Sequence, residues 1–344
     1  MMNRILDIQF PVPFIARPAV LDDAEKATDL FNAISHLLIG ANEAIAESVR
    51  YYWQTPGFNL ETDVLVVFTP DGRLIGEAEF WDTGEPHVHY HGETYVHPDF
   101  VNQGLEIALI AWTEARARRS VGKAPAEALV KIAQGTYDQD HVLKTILQSQ
   151  GYQYERSFYQ MRIEGLTTPP PAPILPDGLI IRAMNPDTEF DAVVDAVADS
   201  FLDHWGFVPQ PREERLAQWR HRAAHNPRYD PSLWFVAMDG QEIAAIALCY
   251  ASTDEDAEMG WVQTLGVRRP WRKQGLGLAL LHHAFGELYR RGRHAVGLGV
   301  DASSLTGATR LYERAGMRAV RQFNSYAKVL RPGIELGTET VTVE

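Results

Sequence analysis

The sequence predicts an α/β protein made of two tandem domains. Three observations carry this reading. An apolar run ends at Val267 and is followed by a short basic turn, two glycines and a long helical pattern that stops at Gly292. The same order of elements occurs earlier in the chain, with Arg17 and Arg182 in matching places 165 residues apart, a repeat of domain size. Between the copies, five prolines fall within 166–178, where neither helix nor sheet interior tolerates them, so an extended linker is expected. The expected layout is a first domain over 1–165, the linker, a second domain over 179–332 and a tail over 333–344. A chain of 344 residues supports two cores.

Taken in order, 14–34 reads as strand, turn and helix, with Asp22 or Asp23 as the cap. Residues 64–81 read as two strands joined at Pro70-Asp71-Gly72. Residues 87–118 give a strand, a turn at Gly104 and a helix, and 145–152 a last helical turn. The second copy repeats the opening at 179–197 and the hairpin at 233–250, which turns at Asp239-Gly240. A strand at 296–301 and a helix within 303–317 follow its glycine turn. Setting Val96 against Val267 matches Gly104 to Gly275, but puts Val101 at Arg272 and Glu106 at Gly277; further on, 145–152 parallels the stretch from Thr309 to Met317, with Leu147 in place of Tyr312.

The turn from Arg272 through Lys273, Gln274, Gly275 and Leu276 to Gly277 is where chemistry is expected. Leu278, Leu281, Phe285 and Leu288 recur at helical steps behind it. A helix N-terminus offers unpaired N–H groups and a partial positive charge, and glycine lets a ligand approach them. Such a turn suits a phosphate or pyrophosphate. It lacks the GK[ST] of a Walker loop and the early GxG of a dinucleotide fold.

Arg272-x-x-Gly275-x-Gly277 after a strand ending in Val267, with Leu311, Tyr312, Gly316 and Met317 downstream, resembles the acyl-CoA loop and tyrosine helix of the GNAT N-acetyltransferase superfamily. The resemblance implies two tandem GNAT folds, each a mixed, mostly antiparallel central sheet flanked by helices. It implies an N-acetyltransferase that uses acetyl-CoA as co-substrate and acts by direct attack of a primary amine of a small molecule on the thioester. It places pyrophosphate on the 272–277 backbone, the pantetheine arm along Leu265, Gly266 and Val267, and the departing thiolate beside Tyr312 as general acid. Ser304 stands where the family often has Asn, and Trp261 where many members have a strand Glu. Candidates for the base are therefore Glu258, His204, Asp203 or a water chain. The first copy, with its carboxylate in the turn and no tyrosine, is expected to fold without binding acyl-CoA. Two alternatives stay open: a protein or peptide N-acetyltransferase, and a non-catalytic acyl-CoA-binding or sensing protein.

The resemblance implies that the connection after the helix ending near Phe201 lines the acceptor pocket, where Asp203 could hold an ammonium, His204 take a proton, and Trp205 and Phe207 form an aromatic wall, with Trp261 also facing the acceptor. A helix cap at Gly206 with two core aromatics is the plainer reading. His87, His89 and His91 alternate on one strand face, a geometry open to zinc, but no carboxylate or cysteine stands at ligand spacing, so no metal is assigned. The net charge of −13 disfavours nucleic acid. Cys249 lies in an apolar run and excludes an internal disulfide. No signal peptide or membrane span is read, so a cytoplasmic monomer or homodimer is expected, with acetyl-CoA and a small amine as its partners.

Overall fold

The structure is a computed structural model and describes residues 4–5, 8–82, 84–305 and 307–339. The chain forms two compact units. One comprises 1–156 with 323–336, the other 157–322 with 337–344.

The first sequence copy opens with β1 (Arg4–Ile5), β2 (Ile8–Gln9) and β3 (Ile15–Pro18), then α1 (Ala24–Ile39), α2 (Ala46–Trp53) and α3 (Leu60–Asp63). The predicted hairpin is β4 (Val64–Phe68) with β5 (Leu74–Asp82). There follow β6 (His89–Val96), α4 (Leu105–Ser120), β7 (Val130–Tyr137), α5 (His141–Ser149) and β8 (Gln153–Ile163). Asp23 stands at the N-cap of α1, but its carboxylate is turned to Arg17 and the Val20 N–H. The second sequence copy runs through β9 (Leu179–Ala183), α6 (Phe190–Phe201), α7 (Arg212–His225), β10 (Trp234–Asp239), β11 (Glu242–Tyr250), β12 (Met259–Val267), α8 (Leu276–Arg290), β13 (Ala295–Asp301), α9 (Ala308–Arg314) and β14 (Arg318–Arg331).

Strand order is β3-β4-β5-β6-β7-β14 in the first unit and β8-β13-β12-β11-β10-β9 in the second. Neighbours are antiparallel except β6 with β7 and β12 with β13, the places where a helix crosses between them. In the second unit one face packs on α8 and α9 around Phe285, Leu281 and Tyr312, the other on α6 around Trp234 and Ile246. Cys249 is fully buried in the first of these cores, and burial pushes its thiol far up.

The unit boundaries differ from the predicted domain boundaries at two strands. Residues 158–163 of β8 pair with β13 in the second unit, and 323–331 of β14 pair with β7 in the first. Each copy closes its sheet with the other copy's last strand. Tandem copies of one fold offer the same ladder to either strand, so sequence order alone does not decide which one fills it. The tail, which the sequence leaves open as a loose end or a last edge strand, contributes Ile334, which bridges Ala128; residues 340–344 lie outside the described residues.

Candidate active site

The turn before α8 is built by backbone conformation. Lys273 and Gly275 both have positive φ, +63° and +85°, which turns successive N–H groups toward one side as a nest. Among the described residues, the N–H groups of Lys273, Gln274, Gly275, Leu276 and Gly277 have no protein acceptor. The Arg272 N–H, expected in the same set, donates instead to Arg269 O at 3.2 Å. A Cβ on Gly275 meets nothing within 4 Å, so its glycine answers to φ and ligand approach. Gly277 is glycine for another reason: a Cβ there comes within 3.2 Å of Leu311 on α9.

The Arg272 side chain braces this turn. It donates to Val267 O at 2.9 Å, to Ser200 O at 3.0 Å and to Asp203 at 2.5 Å. Arg269 grips the same carboxylate from the other side. Asp203 is therefore not the exposed ammonium holder that the sequence suggests. It is buried, and hydrogen bonds from Arg269, which outweigh its desolvation, together with those from Arg272 hold it far below the usual carboxylate range.

Beside the turn, the β12–β13 ladder runs only from Met259↔Ala295 to Trp261↔Gly297. From Val262 onward, the edge of β12 on that side has no ladder partner among the described residues. Leu265, Gly266 and Val267 pair with β11 through their other edge. The α6 helix presses on this strand so closely that a Cβ at Gly266 comes within 2.6 Å of Ser200. Tyr312 packs in the core under α8, its hydroxyl makes no hydrogen bond within the described residues, and burial pushes that hydroxyl up to about 12. It stays protonated at any physiological pH, which a general acid requires. The Ser304 Oγ accepts the Ala308 N–H at 3.4 Å, at the start of α9.

His204 stacks on Phe201 at 4.1 Å in the α6–α7 connection. Burial, and then Arg272, draw its pKa below the ordinary value against the pull of Asp301 and Asp203, so the imidazole is neutral at pH 7. Trp205 and Phe207 are half-buried in the same connection, where Gly206 has φ +73°. Trp261 lies over β13: a Cβ on Gly297 comes within 2.7 Å of its ring. Two residues along, Gly299 is exposed in mid-strand with nothing near it.

Glu258 is removed from the list of candidate bases. It sits before β12, three-quarters exposed, beside His294 at 3.6 Å. Nine extended residues separate it from Val267, about 30 Å at ~3.3 Å each. Sequence reasoning missed Glu255, which takes both Arg162 of β8 and Arg321 of β14. Arg162 lies opposite Gly297 in the sheet. The Gly297-x-Gly299 pattern was the available signal, since glycine in a strand interior marks a close approach or an open floor.

In the first unit, His87, His89 and His91 each hold a separate carboxylate: Asp82, Glu335 and Glu93. Among the described residues no group of three or more His, Cys, Asp or Glu side chains forms a metal site. No helix is long and apolar enough to cross a membrane.

Comparison with known proteins places this geometry. The model of the acetyltransferase (GNAT) family matches residues 191–317, which lie within the second unit. A mycothiol acetyltransferase of Salinispora arenicola (strain CNS-205) is 33% identical over 256 residues, spanning 73% of this chain and 77% of that protein. The crystal structure of a GCN5-related N-acetyltransferase from Sphaerobacter thermophilus is 34% identical, covers 95% of this chain and 99% of its own, and superposes with a TM-score of 0.79. A tandem GNAT protein from the clavulanic acid biosynthesis pathway, 14% identical over 93% of this chain and 99% of its own, shares the fold with a TM-score of 0.69. The chain belongs to the GNAT acetyltransferase family. It is an acyltransferase of tandem GNAT layout, and its layout also resembles that of mycothiol synthase.

Proposed function

We propose that the second unit transfers an acetyl group from acetyl-CoA to a primary amine of a small molecule. The observation that carries this reading is the run of acceptor-free N–H groups from Lys273 to Gly277, set beside the open edge of β12 and backed by Tyr312. Acetyl-CoA brings the acyl group already activated as a thioester. The turn holds the pyrophosphate, and the free edge of β12 offers hydrogen bonds to the amide arm and the thioester carbonyl. The amine nitrogen bonds to the carbonyl carbon, the C–S bond breaks, and Tyr312 gives its proton to the sulfur. His204, neutral and half-buried at the mouth, takes the proton that the new amide sheds, directly or through water. Trp261 and Gly299 form the acceptor's floor.

The name borne by the relatives makes mycothiol-related amines the first acceptors to screen. Titration calorimetry with acetyl-CoA, on the wild type and on Gly275→Glu, tests the cofactor half of the reading. One site that vanishes in the variant supports it, and a site that survives unchanged overturns it. A Tyr312→Phe variant that still binds acetyl-CoA but slows sharply supports the enzyme, whereas a sensing protein would show no turnover in the wild type and would bind and respond in the variant as before.

A further inference from the structure

The α1–α2 face of the first unit carries carboxylates where the second unit carries hydrocarbon. Gly76 lies opposite Val96, and Ala245 lies opposite Val267. With those valines matched, Glu77 and Glu79 of β5 take the places of Ile246 and Leu248 of β11. Those two are fully buried in the apolar core against α6. The fold therefore closes without charge at these positions, and the carboxylates need another explanation.

Glu77 is 0% exposed, and neither of its oxygens has a hydrogen-bond partner among the described residues. Glu79 accepts the indole N–H of Trp53 and of Trp81, each at 2.7 Å. Across the ladder, Glu93 stands opposite Glu79 and Tyr95 opposite Glu77. Aromatic rings wall the group: Phe31 lies 4.4 Å from Tyr95, and Phe58 stacks on Trp81 at 3.9 Å. Glu43, from the α1–α2 connection, adds negative charge near Tyr95. Among the described residues no lysine or arginine pairs with Glu77, Glu79 or Glu93; the nearby Arg17 is held by Asp23 and Arg116 by Asp63. The cationic partner at the mouth is His91, on Glu93 at 2.6 Å.

We propose that this face is a second ligand site, one that takes an organic cation, a primary ammonium on a short carbon chain, between Glu79 and Glu93 and against Trp81, Phe58 and Tyr95. Three carboxylates under aromatic walls match that chemistry: the acids pair with the ammonium and the ring faces attract its charge. Burial, and then the charge of Glu79, hold Glu77 well above the usual carboxylate range. His91 is drawn down by burial but lifted further by Glu93, and stands above the ordinary imidazole value. An ammonium paired with Glu79 and Glu93 favours the ionised form of Glu77, whose proton leaves to solvent, and it takes the place of the protonated His91 on Glu93. The site is independent of the acyl-CoA turn.

The test is calorimetric titration of the full-length chain with putrescine at pH 7, in two buffers of different ionisation enthalpy, with 1,4-butanediol as the neutral control. The expected result is a putrescine site with buffer-dependent heat, no response to the diol, and about 10–100-fold weaker binding in Glu79→Gln/Glu93→Gln, the cost of losing charged hydrogen-bond partners. Glu77→Gln imitates the protonated side chain, so it folds, keeps the site and loses the Glu77 share of the buffer dependence, the share of His91 remaining. Undiminished binding in the double variant places putrescine elsewhere and overturns the proposal. So does the absence of any putrescine site, an equal response to the diol, or buffer-dependent heat that is undiminished in Glu77→Gln.

Discussion

In the first unit, Glu106 reaches back from the opening turn of α4 and accepts the backbone N–H of Asn102 through Oε1 at 2.9 Å. The turn around it has kept its shape: Asn102 and Gly104 have φ +60° and +86°, against +63° and +85° at Lys273 and Gly275. An anion nest is therefore present in both units, but the first is filled by its own carboxylate. Wild-type protein should bind one acetyl-CoA. Gly275→Glu puts a side chain at a left-handed position, which costs about 1–2 kcal/mol, and adds a negative charge facing the pyrophosphate, so affinity should fall by about 100-fold or more. Glu106→Ala should open a weak second site for inorganic pyrophosphate, visible by calorimetry. No pyrophosphate binding in that variant would show that the nest is closed by something besides Glu106.

Asp203 makes the second prediction. Its carboxylate ties Arg269 and Arg272, and Arg272 in turn holds Val267 and Ser200. Removing a buried partner costs about 3–5 kcal/mol. Both arginines are partly exposed, so about 1–3 kcal/mol is the fitting expectation for Asp203→Asn after solvent screening. The effect should appear in thermal unfolding and in acyl-CoA affinity, with the acceptor KM little changed. A large rise in acceptor KM alone would return Asp203 to the acceptor pocket. Because the folded-state pKa is depressed, this stabilisation is present above the ordinary value of 3.8 and lost as the pH falls through the folded pKa.

The parts of this site that the sequence reveals are the local ones. The 272–277 turn follows from glycine spacing and a strand-to-helix change of period, both fixed within about fifteen residues. Asp203 was legible as a residue near the site but not in its role, because its partners lie 66 and 69 positions away. Glu255 was invisible for the same reason, since Arg162 and Arg321 come from opposite ends of the second unit's chain. Glu258 was open to exclusion from the outset, since the length of an extended strand sets its distance from Val267. Nothing local distinguishes Glu77 from an exposed strand glutamate until the register puts it under α1 and α2.

Tyr312 and His204 make separable predictions about pH. Tyr312→Phe should lower kcat by about 10²–10⁴-fold with acyl-CoA affinity nearly unchanged. The tyrosine titrates near 12, so the wild-type profile should show no basic limb from its loss below about pH 11. His204 titrates below its ordinary 6.5, and its neutral form is the working one. Activity should therefore rise with pH through a midpoint under 6.5 and level off by neutrality. His204→Gln should remove that acid limb from kcat/KM. An acid limb that survives the substitution would assign the proton to another group or to water.

The exchanged strands set the last prediction. In the first unit, β7 pairs along its length with β14, from Tyr137↔Phe323 to Val130↔Arg331. Glu335 from the same segment holds His89 and Lys131, and Tyr326 meets Tyr154 edge-on. A fragment ending at Gly165 loses all of this and exposes the edge of β7, an invitation to intermolecular pairing. It should be insoluble or lack a cooperative thermal transition, although it contains every residue of the first sequence copy. Fusing residues 323–336 to a chain ending at Arg156, through a flexible linker, should restore a cooperative melt by circular dichroism. If the 1–165 fragment alone melts cooperatively at the temperature of the full-length protein, then β8 replaces β14 in it at no cost, and the exchange is a matter of connectivity with no bearing on stability.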